Sequence, residues 1–285
     1  MKNQEVIDKI LQYHPLIPDY QGCDGYKTGD PQEECTGIAT ALVPTVDVIR
    51  SSIKENCNLI ITHEPIFYQT PDFADWRGDF ENETCKEKQK LLTENHITVW
   101  RDHDHIHAHR PDGIFTGVVR QLGWEKYMRQ EENGPGYLFD IPRMTVEELG
   151  RHLISCMNLH GLRYIGAAAD QIERVAIVGH IYPDSFYKDH TEADGTYHDY
   201  GMDVIRLMEE GVQAIIPGEI IEWTTLSYIR DSITFGKIRA CYNVGHFNME
   251  EAGMKYAAEW IAELAGNQIP VRYIPTEDGF RYIPS

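Results

Sequence analysis

The sequence predicts an α/β protein of two associated domains, each built on a mainly parallel sheet flanked by helices. Short apolar runs typical of strands alternate with segments whose apolar residues recur at helical spacing, from one end of the chain to the other. Such alternation produces parallel strands joined by crossover helices. The clearest breaker signal is Gly-Pro-Gly at residues 134–136, at the end of the polar segment 129–136. We therefore predict an N-terminal domain over residues 1–129 and a C-terminal domain over residues 130–285.

Each element of the N-terminal domain has a local signal. Val6, Ile7 and Ile10 lie on one face of a first helix. A helix that starts at Pro44 follows the first strand, and Gly123 follows the last helix in the usual C-cap position. In order, the predicted elements are a helix near 6–11, a strand at 38–43, a helix at 44–56, a strand at 58–62, a helix at 83–95, a strand at 97–102 and a helix at 113–122.

The C-terminal domain continues the same alternation. Residues 145–148 read Thr-Val-Glu-Glu, a capping box that opens a helix. The predicted elements are a strand at 137–141, a helix at 145–157, a strand at 174–179, a polar loop at 184–197, a helix at 199–210, a strand at 212–217, a helix at 224–232, a strand at 238–244, a helix at 249–265 and a strand at 270–274.

Composition and charge exclude several classes of protein. The chain has 285 residues, of which 42% are hydrophobic and 25% charged, as in a globular protein. Lys and Arg number 26 against 45 Asp and Glu, so the formal net charge is −19 and a broad basic surface for nucleic acid or anionic lipid is not expected. There is no apolar run of the ~20 residues that a membrane span needs, and no signal peptide is recognisable. Six scattered cysteines without a Cys-x-x-Cys pair indicate reduced thiols, so we expect a cytoplasmic protein.

Five of the thirteen histidines lie within residues 96–109, directly around and after the predicted strand at 97–102. Imidazoles at this density, mixed with aspartates, are a typical set of ligands for divalent metals. The alternative is a histidine-rich loop that is simply solvated. We interpret the cluster as a metal site, because a protein core does not need so many titratable rings in one place.

Three predicted strands end in groups that can bind a metal. The strand at 58–62 leads into His63 and Glu64, the strand at 97–102 leads into His103, and the strand at 238–244 leads to His246. Ligands in open α/β sheets bind at the carboxyl ends of the strands. We therefore expect these strand ends to meet in one crevice between the two domains.

The spacing within these groups supports a shared site. His103 and His107, and likewise His246 and Glu250, are four residues apart, which places each pair on one face of a helix or tight turn. Each residue alone has an ordinary structural explanation, as a hydrogen-bonded histidine, a loop acid or a helix cap. Two further histidines of the cluster, at positions 105 and 109, are expected beside the ligands or in solvent. Only the coincidence of three strand-end groups indicates a metal centre.

Five segments form an ordered pattern along nearly the whole chain. They are Asp-Gly-Tyr-Lys-Thr-Gly-Asp-Pro at 24–31, Leu-Ile-Ile-Thr-His-Glu-Pro-Ile at 59–66, Gly-Val-Val-Arg-Gln-Leu-Gly at 117–123, Gly-Glu-Ile-Ile-Glu at 218–222 and Gly-His-Phe-Asn-Met-Glu at 245–250. In order and spacing they resemble the motifs of the hexameric dinuclear-metal proteins known as GTP cyclohydrolase I type 2 homologues, or Nif-three-like proteins.

The resemblance implies two divalent metal ions, which can be zinc, iron, manganese or nickel. The implied ligands are four imidazoles and two carboxylates: His63, Glu64, His103, His107, His246 and Glu250. Two of these depart from the family pattern, which has a second His where this chain has Glu64 and an Asp where it has His107. A carboxylate and an imidazole have exchanged positions, so the total ligand charge for two divalent ions is preserved.

The resemblance also implies a function and an assembly. The expected function is hydrolysis of a small substrate, such as a nucleotide, by a metal-bound hydroxide, and the family name implies opening of the imidazole ring of GTP. Glu250 is the candidate catalytic and bridging carboxylate. Glu219 and Glu222 are candidates for acid–base catalysis or for contacts with the ligands, and equally for solvent-facing acids at a helix start.

Other classes of function stay open. The chain has no Gly-rich phosphate loop, and Arg101, Arg110 and Lys188 are the candidate contacts for a triphosphate. One alternative is a non-enzymatic metal-binding scaffold or adaptor, and another is a metallophosphoesterase or amidohydrolase. The resemblance implies a homo-hexamer, a trimer of dimers, and the loop aromatics Phe73, Trp76, Tyr127 and Tyr187 are candidate subunit contacts.

Overall fold

The structure is a computed structural model that describes residues 1–69, 72, 78–129, 136–181, 190, 191, 195, 197, 198 and 200–283. The helices are α1 (Asn3–Tyr13), α2 (Val46–Lys54), α3 (Glu83–Glu94), α4 (Asp104–His107), α5 (Gly113–Leu122), α6 (Val146–Met157), α7 (Tyr200–Glu209), α8 (Thr225–Thr234) and α9 (His246–Leu264), with a 3-10 turn at Glu125–Tyr127. The strands are β1 (Gly25–Thr28), β2 (Ile38–Ala41), β3 (Leu59–Thr62), β4 (Thr98–Arg101), β5 (Gly136–Thr145), β6 (Arg163–Gly166), β7 (Gln171–Val178), β8 (His190–Thr191), β9 (Tyr197–His198), β10 (Ala214–Pro217), β11 (Ala240–Asn243) and β12 (Val271–Tyr273).

The chain forms two compact units. Unit 1 comprises Met1–Val118 and Glu250–Glu277, and unit 2 comprises Val119–Met249 and Asp278–Ser285. The Gly-Pro part of the predicted boundary loop lies outside the described residues. The division into folding domains at residues 129/130 stays a prediction.

Unit 1 contains a five-stranded sheet in the order β1-β4-β3-β2-β12, in which only the edge strand β1 is antiparallel to its neighbour. The central strand β3 begins with three consecutive apolar residues, at 59–61, as is typical of a strand whose two faces are both covered. Leu59 and Ile61 pack with residues of α1 and α9, whereas Ile60 packs on the opposite face with residues of α2 and α3. The sheet is therefore the middle layer of a helix–sheet–helix arrangement.

Two glycines let α5 and α9 pack backbone to backbone within unit 1. A Cβ on Gly117 would lie 2.4 Å from the carbonyl oxygen of Ala252, and a Cβ on Gly253 would lie 2.7 Å from the Cα of Ile114. Neither backbone can yield to such a contact without moving a helix. This close packing therefore fixes the part of α9 that begins with Glu250.

Unit 2 contains a second five-stranded sheet, in the order β5-β7-β10-β11-β6. The three central strands are parallel, and the edge strands β5 and β6 are antiparallel to their neighbours. Val204 of α7 and Ile229 of α8 belong to one core with Ile215 of β10. The predicted capping box is present, because Thr145 Oγ1 accepts from the Glu148 amide (3.1 Å) and Glu148 Oε2 accepts from the Thr145 amide (2.7 Å).

The predicted α/β class is confirmed, with two mixed sheets flanked by helices. Three short elements, β1, β6 and α4, were not expected, because each spans only four residues and none carries a sustained apolar period. Helix α9 begins at His246, three residues earlier than the apolar pattern predicts. Within the described residues, no helix is both long and apolar enough to cross a membrane.

Several other expectations concern single residues or segments. All six cysteines are free, in agreement with the expected reduced thiols. The polar segment 184–197 is described only in part and contains β8 and the first residue of β9. Phe73, Trp76, Tyr187 and Lys188 lie outside the described residues, whereas Tyr127 closes the 3-10 turn.

Candidate metal centre

The carboxyl ends of β3 and β4 lie side by side and carry the first two donor groups. The strands are parallel, with Thr62 opposite Arg101, and the Asp102 amide donates to the Thr62 carbonyl oxygen at 2.8 Å. His63 follows β3 directly and is completely buried. His103 lies two residues after the end of β4. Parallel pairing alone thus brings two imidazoles from distant parts of the sequence together.

His107 joins them through the short helix α4. The His107 amide donates to the His103 carbonyl oxygen at 3.2 Å, so the two residues are one helical turn apart, as their spacing predicts. Their ring centroids are 4.9 Å apart. The ring centroid of His63 lies 4.5 Å from that of His103 and 4.8 Å from that of His107. The three imidazoles each place a ring nitrogen within 4.8 Å of the other two, so they form a group that could hold a metal ion.

The three rings share one hydrogen-bonding arrangement. Each uses Nδ1 for a contact with an oxygen of the protein, which leaves Nε2 for another partner. The contacts are His63 with the Asp102 carbonyl (3.1 Å), His103 with Asp104 Oδ1 (2.8 Å) and His107 with Asp112 Oδ2 (2.7 Å). Metal-bound histidines have this arrangement, because the oxygen fixes both the tautomer and the orientation of the ring.

His63 is the most constrained of the three. Its Nε2 is buried, finds no hydrogen-bond partner among the described residues, and lies 3.5 Å from Glu250 Oε2. Burial, followed by the neighbouring His103 and His107, lowers the pKa of His63 to about 3. The ring is therefore neutral near pH 7 and keeps a lone pair on Nε2, as metal binding requires.

A second group combines His63 with two carboxylates. His63, Glu64 and Glu250 each offer a ligand atom within 4.8 Å of the other two. The amides of His63 and Glu64 both donate to the Leu42 carbonyl oxygen, at 3.2 and 2.8 Å, which fixes the turn after β3. Adjacent side chains that would point apart in a strand thus reach the same group.

Arg101 supports this turn from beneath. It is almost completely buried, its Nε donates to the His63 carbonyl oxygen at 3.0 Å, and its guanidinium lies 3.8 Å from Glu64 Oε2. Arg101 therefore contacts the residues of the donor groups and is not exposed at the surface. Arg110, the second candidate for a triphosphate contact, donates to the carbonyl oxygens of His107 and His109.

Asp24 is a supporting residue to which the sequence reasoning gave no role. Its carboxylate accepts from the amides of His103, Asp104 and His105 at 2.7–2.9 Å, so it caps α4. Burial raises the pKa of Asp24, but these hydrogen bonds outweigh burial and hold it below its usual value. The signal in the sequence that could have indicated this role is its position at the start of the segment 24–31, one of the five segments of the family pattern.

His105 and His109 are partly buried and contact residues that support the candidate ligands. The His105 Nδ1 contacts Asp24 Oδ2 at 2.7 Å, and the His109 Nε2 lies 2.8 Å from His14 Nδ1. His14 is buried and its other nitrogen lies 3.0 Å from Asp102 Oδ2. Sequence reasoning missed His14, because it lies alone at the end of α1, far from the cluster.

Cys23 belongs to a further group that could hold a metal ion, together with His103 and Asp104. Burial raises the pKa of the Cys23 thiol to about 12. The sulfur therefore carries its proton near pH 7 and lies 3.7 Å from Asp104 Oδ1.

Unit 2 carries its own histidines at strand ends. His246 follows β11, and its Nδ1 lies 3.0 Å from Glu219 Oε1, which follows β10. His180 follows β7, and its ring stacks on His246 with centroids 3.7 Å apart. His180 was missed because it stands alone in the sequence, although its place after a strand was a usable signal. Glu222 is exposed and pairs with Arg163, so its acid–base role stays a prediction.

Helix α9 begins with His246 and contains Glu250 one turn later. The role of His246 as a ligand stays a prediction. The donors of unit 1 do fit divalent cations, because the neutral, oriented imidazole of His63 lies beside the buried Glu250 carboxylate, and buried charges need a counter-charge or a metal.

The sequence is similar to one family model and to two clostridial proteins of the same name. Residues 1–180 match the family model described as Duf34/NIF3 (NGG1p interacting factor 3). A GTP cyclohydrolase 1 type 2 homolog of Clostridium acetobutylicum is 27% identical over 261 residues, covering 88% of this chain and 85% of the relative. Its counterpart in Clostridium perfringens is 25% identical, with 88% and 87% covered.

The fold is similar to those of solved structures. A Bacillus cereus protein related to NIF3 matches with a TM-score of 0.72 at 13% identity, and a Staphylococcus aureus protein matches with a TM-score of 0.70 at 19% identity, each covering 99% of both chains. At these identities the likeness concerns the fold alone.

Proposed function

Because the chain belongs to the Duf34/NIF3 (NGG1p interacting factor 3) family, we propose that it is a metal-dependent hydrolase with a dinuclear centre. The observation that carries the proposal is the state of His63, whose Nε2 is buried, neutral and without a hydrogen-bond partner among the described residues, 3.5 Å from a buried carboxylate. Leaving a buried nitrogen unpaired costs free energy, and a bound cation removes that cost. An ordinary core histidine would have both nitrogens paired.

In this proposal His63, His103 and His107 bind through Nε2, and Glu64, Glu250 and His246 complete the ligand set. Two divalent ions supply Lewis acidity and a nucleophile at neutral pH. The protein holds the rings through the oxygens of Asp102, Asp104 and Asp112, and Glu219 does the same for His246. The buried Glu250 carboxylate would hold an ion and balance part of its charge.

The proposed substrate is a small molecule with a hydrolysable ring or ester. The names of the curated relatives make GTP the first compound to test. The acidic balance of the chain, −19 overall, disfavours extended polyanions as substrates. Arg101 is buried beneath the donors, so recognition of a triphosphate would depend on other groups.

Turnover by the metal-loaded protein tests this proposal. Protein loaded with zinc, iron, manganese or nickel is incubated with GTP, phosphoesters and cyclic amides, and product is followed by chromatography. We expect product that disappears with a chelator and with His63→Ala, whereas His96→Ala, an exposed change in the same histidine-rich region, leaves turnover unchanged. Two tightly held ions without turnover on any substrate would instead favour the scaffold alternative.

We also propose that the chain assembles into a hexamer, as the family resemblance implies. Large apolar side chains at Trp223, Phe235 and Phe280 are mostly exposed in the single chain, as is common for residues that become buried at interfaces. Light scattering at micromolar concentration should give six times the mass of one chain. A monomer mass would remove this proposal.

A further inference from the structure

The proposed metal ligands of unit 1 fall into two groups of different chemistry. One group has only imidazoles, from His63, His103 and His107. The other has the carboxylates of Glu64 and Glu250 beside His63. Ligand charge therefore differs, because an imidazole binds a metal as a neutral group, whereas two carboxylates bind it with two negative charges.

His63 cannot make the two groups alike. Its Nδ1 donates to the Asp102 carbonyl oxygen, so only Nε2 is able to bind an ion, and a single lone pair serves one ion. If His63 joins the other imidazoles, one ion has three nitrogen donors, and the other has two carboxylates together with His246, the remaining proposed ligand. If His63 joins the carboxylates, the first ion keeps two nitrogen donors and no carboxylate from these groups. The difference survives either way.

Resting on the proposed dinuclear centre, we propose that its two positions select different metals. The position of His103 and His107 takes a nitrogen-preferring ion of the zinc class. The position of Glu64 and Glu250 takes an oxygen-preferring ion such as manganese. Ligand softness and charge govern this choice, since imidazole suits zinc, copper and nickel, whereas carboxylate suits manganese and magnesium.

The surroundings of each group strengthen the contrast. Asp104 and Asp112 accept from the Nδ1 atoms of His103 and His107, which holds these rings as nitrogen donors. The buried Arg101 guanidinium lies 3.8 Å from Glu64 Oε2, so a positive charge lies beside the carboxylate group and not beside the imidazole group. The exchange of Glu64 and His107 relative to the family pattern is what separates the charges. With the family's residues, each group would contain one carboxylate.

Mixed loading tests the inference without any activity measurement. Metal-free full-length protein receives one equivalent of zinc with excess manganese, is desalted, and is analysed for both elements and by electron paramagnetic resonance. We expect one zinc and one manganese per chain, and the spectrum of an isolated manganese ion. Coupled manganese pairs in a mixture of zinc-only and manganese-only chains would overturn it.

Two variants decide whether these residues cause the selection. Glu64→Gln should weaken manganese binding by at least about ten-fold and leave zinc binding within about three-fold, whereas Glu147→Gln, which changes an exposed helical acid, should alter neither. The double variant Glu64→His with His107→Asp should produce coupled manganese pairs under the same loading. Segregation that persists in the double variant overturns the assignment, and fewer than two ions in the wild-type chain overturns the dinuclear centre as well.

Discussion

The strand ends of the two units carry similar residues in different surroundings. In unit 1 the side chains of His63 and Glu250 are 0% and 5% exposed, whereas in unit 2 those of His246 and Glu219 are 25% and 36% exposed. Both units orient a histidine through Nδ1. Orientation alone therefore does not make the two groups equal, because water screens contacts between exposed charges more strongly than contacts between buried ones. We therefore expect unit 1 to supply most of the metal affinity.

The largest expected effect comes from removing the shared imidazole of unit 1. His63→Ala removes the one imidazole that can join either group of unit 1, so metal affinity should fall by at least about 100-fold. His246→Ala should cost less, about ten-fold, because that ring is partly solvated. Competition with a chromogenic chelator measures both.

Urea unfolding of the metal-free variants distinguishes the loss of a metal-ligating side chain from misfolding. A variant that unfolds at the same urea concentration as the wild type has lost only that side chain. His96→Ala is the control, because this exposed histidine of the same region pairs with Glu33 at the surface. Equal losses for the variants at positions 63 and 246, or a larger loss at 246, would break the contrast between the units.

The next effect concerns helix packing. Gly253→Ala places a methyl group 2.7 Å from the Cα of Ile114, so the free energy of unfolding should fall by about 1–3 kcal/mol. Gly150→Ala in α6 is the matched change in unit 2, where the nearest atom is 3.5 Å away on Tyr242. It should be neutral or stabilising by up to ~1 kcal/mol, because Ala is the better helix former.

Urea unfolding of the two glycine variants provides the measurement. If Gly253→Ala leaves the free energy of unfolding unchanged, α9 can shift without a loss of stability. The site of unit 1 would then be less rigid than its burial suggests, and the comparison between the units would lose its structural basis.

A third effect is the response of the metal-free protein to acid. The pKa of His63 is lowered by burial to about 3, against ~6.5 in an unfolded chain, so between these values only the unfolded state binds the proton. Stability is therefore complete above pH 6.5 and is lost progressively as the pH falls towards 3. The loss from this residue should be about 1.4 kcal/mol at pH 5.5.

The variant His63→Gln isolates this contribution, because glutamine does not titrate. Urea unfolding at pH 7.5 and 5.5 should show a smaller acid effect in the variant by about that amount. An identical pH dependence in both proteins would mean that His63 is not held neutral, and that the burial of unit 1 lacks its expected electrostatic consequence.

Much of the fold followed from the sequence because strong local patterns agree with the tertiary structure. The apolar run before His63 is a doubly covered strand, and the capping box at Thr145 starts its helix as predicted. The His103–His107 spacing also gave the right local geometry. These features depend on neighbours in the chain, and the pattern of neighbours is what a sequence displays directly.

The parts that escaped prediction depend on distant residues. Asp24 supports α4 from 79 residues or more away, and His14 reaches Asp102 from the end of α1. His180 stacks on His246, which lies 66 residues later in the sequence, and no shared motif connects the two positions. The grouping of Glu64 with Glu250 likewise needs the turn fixed by Leu42, which the residue types alone do not specify.

The smallest expected effect tests orientation in each unit by changing the supporting acids. Asp112→Asn keeps an oxygen that can accept from the Ile114 amide and cap α5, but it removes the carboxylate that holds His107. Metal affinity should fall by about ten-fold with little change in stability. Glu219→Gln should weaken it by less than about three-fold, because the Glu219–His246 contact is partly exposed and water can replace it. Chelator competition and urea unfolding on both variants distinguish a role in orientation from a role in folding. If Glu219→Gln costs more than Asp112→Asn, solvent exposure does not weaken the support of a ligand here, and unit 2 controls the metal as strongly as unit 1.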